Sequence, residues 1–128
     1  IRELRELLRQ RPGDSQLQNA LGYTLADADR DLGEARTLIT AALAQSPDNA
    51  AMLDSMGWLL HREGRHAEAL EYLRRSAELG SDPEIDLHIG EVQWAMGDQA
   101  AARETWRKAL ERSPDNEDLR RRLERAGP

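Results

Sequence analysis

The stretch DADRDLGEARTL, Asp27 to Leu38, puts carboxylates at the first, third and fifth positions of a calcium-binding loop: Asp27, Asp29 and Asp31. The rest of the pattern fails, because such a loop needs glycine at its sixth position and a bidentate glutamate at its twelfth. Leu32 and Leu38 stand there instead, so the segment reads as a solvated turn between helices. The remaining metal-ligand candidates are His61, His66 and His88. The five-residue spacing of the first two, across a turn, does not place two rings on one helical face. His61 and His88 fall on successive first helices, where they could be neighbours; all three are read as partly exposed polar residues in a groove, with no metal assigned. Nucleophilic catalysis needs a hydroxyl or thiol beside an oriented base. Ser15, Ser46, Ser81 and Ser113 lie at helix ends, where capping accounts for them, and Ser76 occupies a small, close-packed helical position. There is no glycine-rich phosphate loop, and the many carboxylates lie on charged faces. The expectation is a non-enzyme with no catalytic residues, no metal and no cofactor.

Composition narrows the class further. The chain has 128 residues, 39% of them hydrophobic, with five aromatics and no Phe, so its core must be mainly aliphatic. Charged residues make up 33%, interleaved in sign around a net charge of -6, which disfavours nucleic acid as a partner. No cysteine is present, which excludes disulfides and thiolate chemistry. No apolar run approaches the roughly 18 to 20 residues of a membrane span, so no membrane insertion is expected of this segment. The charged opening IRELRELLRQ is no signal peptide, and reads as though cut from something longer. Seventeen Arg against one Lys suggests a G+C-rich, bacterial coding bias.

What must position these residues is a repeat. The segments beginning ALGYTLADADRDLGEAR, SMGWLLHREGRHAEAL and HIGEVQWAMGDQAAAR align on Gly22, Gly57 and Gly90, which lie 35 and 33 residues apart. Ala35, Ala69 and Ala102 follow, then Ala42, Ser76 and Ala109, with the bulkier Ile39, Leu73 and Trp106 between them. Each unit reads as two helices joined by a turn, with Gly64 and Gly97 at the turn in the second and third units, and a turn one residue longer, DADRDLG, in the first. Asp14, Asp48, Asp82 and Asp115, each close to a proline, mark helix starts, and Pro83 suits a first helical position. A glycine inside a helix costs about 1 kcal/mol relative to alanine. The small residues are therefore read as facing small residues on the partner helix, so that the two backbones approach closely.

This register resembles the tetratricopeptide repeat family, whose period of about 34 residues runs W-x2-L-G-x2-Y, A-x3-F, then P. Met56, Gly57, Leu60, Ala69 and Leu73 match in the second unit, and Ile89, Gly90, Ala102, Trp106, Ala109 and Pro114 in the third. The first Trp of the pattern is replaced by Gln18, Leu53 and Asp86. The resemblance implies an all-α solenoid of stacked antiparallel helix pairs in a right-handed superhelix, about eight helices within residues 1–128 as a single domain. Its expected divisions are 1–12, the second helix of a truncated preceding repeat; 15–48, 49–82 and 83–116, three repeats; and 117–126, a solvating C-terminal cap.

In this family the first helix of each unit lines a concave surface. Carried over, that surface comprises Asn19, Tyr23, Ala26, Asp54, Trp58, His61, Leu87, Glu91 and Trp94, implying a scaffold that binds a peptide or helical segment of another protein. Trp58 and Trp94 read either as partner anchors or as packing between neighbouring first helices. The carboxylate clamp of chaperone-binding relatives is absent: the matching positions hold Asn19, Tyr23, Ser55, Glu84 and His88. Asp54, Glu84 and Glu91 suit a neutral or basic partner. The second and third units are also similar to C-terminal repeats of large bacterial tetratricopeptide lipoproteins of the cell envelope. That similarity implies a parent facing the periplasm, with a cytoplasmic location as the alternative, and partners among envelope enzymes or assembly factors. A second reading is self-association into a homo-oligomer through Leu4 and Leu8 on the apolar stripe of the first helix.

Overall fold

The computed structural model describes residues 1–127, and eight helices account for most of them. They are α1 (Arg2–Gln10), α2 (Ser15–Asp27), α3 (Leu32–Gln45), α4 (Ala50–Arg62), α5 (His66–Leu79), α6 (Pro83–Ala95), α7 (Gln99–Arg112) and α8 (Glu117–Ala126). There is no strand among the described residues. Within each pair the turn closes by a backbone bond that spans five residues: Arg30 to Leu25, Arg65 to Leu60 and Asp98 to Gln93. Gly64 and Gly97 take φ of +82° and +89° at these turns, where a Cβ would be strained. The longer first turn has no glycine in that role, and Asp29 and Asp31 adopt the left-handed backbone instead.

Helix starts follow a more specific rule than a nearby aspartate. Asp14 and Asp82 cap α2 and α6 as expected, accepting from Leu17 N and Glu84 N, with Pro83 in the first turn. In the two SPDN boundaries, however, the cap is the asparagine: Asn49 accepts from Met52 N, and Asn116 from Leu119 N. Asp48 and Asp115 stand one residue too early. The four serines do not carry the caps either, and Ser46 and Ser113 sit at the C-terminal ends of α3 and α7. Asn49→Ala is therefore expected to lower stability by about 1 kcal/mol. Asp48→Ala, which loses only an exposed pair with Arg75, should shift it by well under half of that. The comparison is read from urea midpoints of the two variants.

Packing order gives the shape. Each first helix approaches the next, α2 on α4, α4 on α6 and α6 on α8, whereas the backbones of α3, α5 and α7 stay apart from one another and approach instead the first helices beside them. The layer whose members lie closer together is the inside of the curve. The inner surface is thus built by α2, α4, α6 and α8, and α1 packs on α2 much as α3 packs on α4.

The three helical glycines sit in that arrangement opposite large residues, which corrects the expectation of small against small. A Cβ on Gly22 would lie 2.6 Å from Ile39 Cγ1, one on Gly57 would lie 2.7 Å from Leu73 Cγ, and one on Gly90 would overlap the Trp106 indole. Each glycine is a hole that receives a side chain of its partner helix. The paired alanines contribute backbone proximity, the carbonyls of Ala35 and Ala69 lying 3.2 and 3.1 Å from the same Cβ positions. Ala35, Ala69 and Ala102 are fully buried.

The core runs along the seam between the layers, through Leu21, Leu25, Ile39, Leu59, Leu73 and Val92, and continues as Trp106, Ala109 and Leu119 under α8. It is aliphatic apart from two tryptophans. Ser76 is buried and donates to Ala50 O at 2.7 Å, so this small residue also ties α5 to α4. Leu4 and Leu8 are half-buried against the first part of the core, and Leu7 is the leucine of α1 left 44% exposed.

Candidate partner-binding groove

The inner surface carries two rows of equivalent positions. One runs Asn19, Asp54, Leu87 and Arg121; the other runs Tyr23, Trp58, Glu91 and Arg125. The first three residues of each row are those expected from sequence. The fourth comes from α8, which does more than solvate the end of the stack. It stands where the next first helix would stand, and Arg121, Arg122 and Arg125 line the same groove as Tyr23, Trp58, Leu87 and Glu91. The signal is present in the sequence: SPDN precedes α4 at 46–49 and α8 at 113–116.

The floor of the groove is a polar network that spans all three units. His88 of α6, expected to be partly exposed, is only 5% exposed, and its Nδ1 donates to Asp54 Oδ1 of α4 at 2.8 Å. Its ring stacks on Trp58, with centroids 4.1 Å apart, and its Nε2 lies 3.4 Å from the Tyr23 hydroxyl of α2. Tyr23 donates to Glu84 at 3.0 Å, and burial followed by the Glu84 charge raises the phenol pKa above its ordinary value. Trp58 is 6% exposed, donates from Nε1 to Asp27 at 3.1 Å and carries the Arg62 guanidinium over its ring at 5.0 Å. Buried polar groups that satisfy one another fix the relative placement of the helices that carry them. The network ties α2, α4 and α6 to one another across the floor of the groove.

His61 meets His66, while His88, the neighbour its position allows for, still bears on its charge. The Nδ1 of His61 lies 3.0 Å from Nδ1 of His66, and its ring lies 4.9 Å from that of Trp58. The five-residue spacing does bring the two imidazoles together, because His61 is in the last turn of α4 and His66 begins α5 after the chain reverses. Burial, then His66, Arg62 and His88, push the His61 pKa down from 6.5 to about 4. Between those values the unfolded chain binds the proton that the folded chain refuses, so this residue's contribution is present above pH 6.5 and lost as pH falls toward 4. His61→Gln should accordingly flatten the fall in urea midpoint between pH 7 and 4.5 relative to the unmodified chain. Equal slopes would contradict that assignment. No group of three or more potential ligands converges among the described residues, the Asp27–Asp31 turn included.

Beside the groove, Trp94 and Trp106 stack at 6.0 Å and form a recess closed by Glu91, Arg122, Arg125 and Ala126. Trp94 is half-exposed, with Arg103 over its ring at 5.6 Å, and Trp106 is buried beneath it, donating to Leu87 O at 3.3 Å. Glu91 is paired with Arg122, whose pKa is lowered by burial. Asn19 is half-buried, and Ala26 lies wholly inside the core. The acidic residues of α2, α4 and α6 are thus each held by an internal partner: Asp27 by Trp58, Asp54 by His88, Glu84 by Tyr23 and Glu91 by Arg122. These bonds orient the carboxylates, and Arg122 is the one partner among them that carries a permanent positive charge. No helix is long and apolar enough to cross a membrane among the described residues.

Comparison with known proteins agrees with this architecture. One sequence pattern described as a tetratricopeptide repeat matches residues 1–50 and 24–84, and another of the same description matches 84–116. The TPR repeat-containing protein PA4667 of Pseudomonas aeruginosa is 45% identical over 90 residues, which are 70% of this chain and 15% of that protein. Human tetratricopeptide repeat protein 7B is 34% identical over 88 residues, 68% of this chain and 10% of that protein. The chain therefore spans only a small part of the length of these curated relatives. Among solved structures, TTC0263, a thermophilic TPR protein of Thermus thermophilus, superposes with a TM-score of 0.84 at 25% identity, covering 96% of this chain and 69% of that one. Repeat register, helix pairing and relatives converge, and the chain belongs to the tetratricopeptide repeat family.

Proposed function

We propose that this segment is a non-enzymatic interaction module that holds a peptide or helical segment of another protein in the groove formed by α2, α4, α6 and α8. Tetratricopeptide repeats generally mediate protein–protein interaction, and members of the family are typically scaffolds. The observation that carries the reading here is a preformed inner surface with apolar and aromatic area left open at Leu87, Tyr23 and Trp94, above a rigid, internally bonded floor. A rigid surface loses little entropy on binding, so half-exposed rings there are favourable anchors. Trp58, 6% exposed, supports the surface from below.

The Pseudomonas relative supports a bacterial parent, and the resemblance to repeats of bacterial envelope lipoproteins is the ground for proposing envelope enzymes or assembly factors as its partners. The test compares the parent protein with its Leu87→Glu, Trp94→Ala variant in capture from extracts of the cells that make it, quantified by mass spectrometry. The reading expects the specifically captured proteins to be lost from a variant that remains folded by circular dichroism. Unchanged capture by the folded variant would reject the groove.

A further inference from the structure

We propose that Tyr23, Glu84 and His88 form a site for one divalent transition-metal cation of the zinc class on the floor of the groove, with Asp54 orienting the histidine. The site is independent of what the groove binds. When a phenol is counted with the imidazoles and carboxylates, three donor atoms from α2 and α6 converge. The Tyr23 hydroxyl oxygen lies 3.0 Å from Glu84 Oε1 and 3.4 Å from His88 Nε2, and the two α6 atoms are 3.8 Å apart. In a tetrahedral site with bonds of about 2.0 to 2.1 Å, neighbouring donors stand roughly 3.3 to 3.4 Å from one another. The three separations bracket that value, so one ion can bond to all three. Glu84 and His88 are four residues apart on α6, which sets them on a common face.

The state of His88 points to the same ion. Its side chain is only 6% exposed, and its Nδ1 donates to Asp54 Oδ1 at 2.8 Å, a carboxylate that can only accept. In the neutral ring the proton is thereby fixed on Nδ1, and Nε2 carries a lone pair. The single phenol proton of Tyr23 goes to Glu84, so that lone pair has no donor of its own and faces the groove beside a carboxylate. A carboxylate on one ring nitrogen and a metal on the other is the usual setting of a metal-bound histidine. Neither Asp54 nor Glu84 pairs with an arginine or lysine among the described residues, which leaves both charges for a cation. One nitrogen with two oxygens suits zinc, cobalt or nickel, whereas calcium takes about six to eight oxygens. Glu84 is exposed and the three donors line the groove, so the ion enters from solvent and keeps a position for water. On binding, the metal takes the place of the phenol proton, which leaves to solvent.

The test titrates zinc chloride into the full, untagged chain, freed of metal by a chelator and dialysed, and follows the heat; cobalt chloride is followed by visible absorption. The expected result is a single ion per chain bound at micromolar concentration, with the intense visible band of four-coordinate cobalt, and no comparable heat from magnesium chloride. Glu84→Gln and Tyr23→Phe, which barely change side-chain volume, should each weaken zinc binding by about tenfold or more, and Asp54→Asn by about tenfold. Folding of each variant is checked by circular dichroism. His66→Gln, which removes one ring of the other imidazole pair, should leave binding intact. No binding by the folded chain, zinc held no more tightly than magnesium, or zinc affinity unchanged in Glu84→Gln and Tyr23→Phe would each overturn the site. Loss of binding in His66→Gln would assign the ion to the His61–His66 pair and overturn it likewise.

Discussion

Gly90→Ala is expected to destabilise the chain by about 1 to 3 kcal/mol or more, although the same change in an open helix stabilises it by about 1 kcal/mol. The sign reverses because the added methyl would occupy the space of the Trp106 indole, which is itself buried and donates to Leu87 O. Moving the indole aside breaks that bond and its stack on Trp94. At Gly57 the obstacle is the Leu73 side chain, a flexible aliphatic group, so alanine there should cost less, and leucine there should again cost about 1 to 3 kcal/mol or more. Guanidinium denaturation of the three variants gives the order directly. A Trp106→Leu background should reduce the penalty of Gly90→Ala, since the knob has been trimmed to fit the filled hole; additive effects would contradict the contact.

Trp58→Ala should cost about 3 to 5 kcal/mol, far more than a groove anchor of the same residue type. Truncation removes the face on which His88 stacks, the cation above the ring at Arg62 and the hydrogen bond to Asp27 in one step. Trp94→Ala, at a half-exposed ring, should cost clearly less than half as much while weakening partner capture. Paired measurement of urea midpoint and capture separates the roles. A Trp58→Ala protein as stable as the parent would mean that the ring is not the keystone of the floor.

The architecture is legible because three small residues per unit recur at fixed spacing, and close helix pairing demands just that. The partners of those residues are harder to read. Periodicity marks Gly57 as special but does not reveal that Leu73, rather than Ala69, fills its space. The SPDN boundaries show the same limit at shorter range. Both Asp48 and Asn49 are good caps by type, and only the backbone geometry selects the asparagine. Helical periodicity separates His61 from His66 only when it is extended across a turn that in fact reverses the chain. Residue type alone puts His88 at the surface, although an imidazole flanked by a tryptophan and an aspartate from the preceding first helix is satisfied in burial. The α8 arginines escape notice for a different reason. A helix with one apolar stripe looks like a cap, yet it also repeats the inner-face register of α6 one unit on.

The central claim is that the inner face of the first helices is where another protein is held. A photocrosslinking amino acid replacing Leu87 in the parent protein, with a second version replacing the exposed Glu78 on α5, tests it within one molecule. The account predicts discrete adducts of a defined protein from position 87 and none of that protein from position 78. Adducts of the same protein from position 78 with none from position 87 would contradict it.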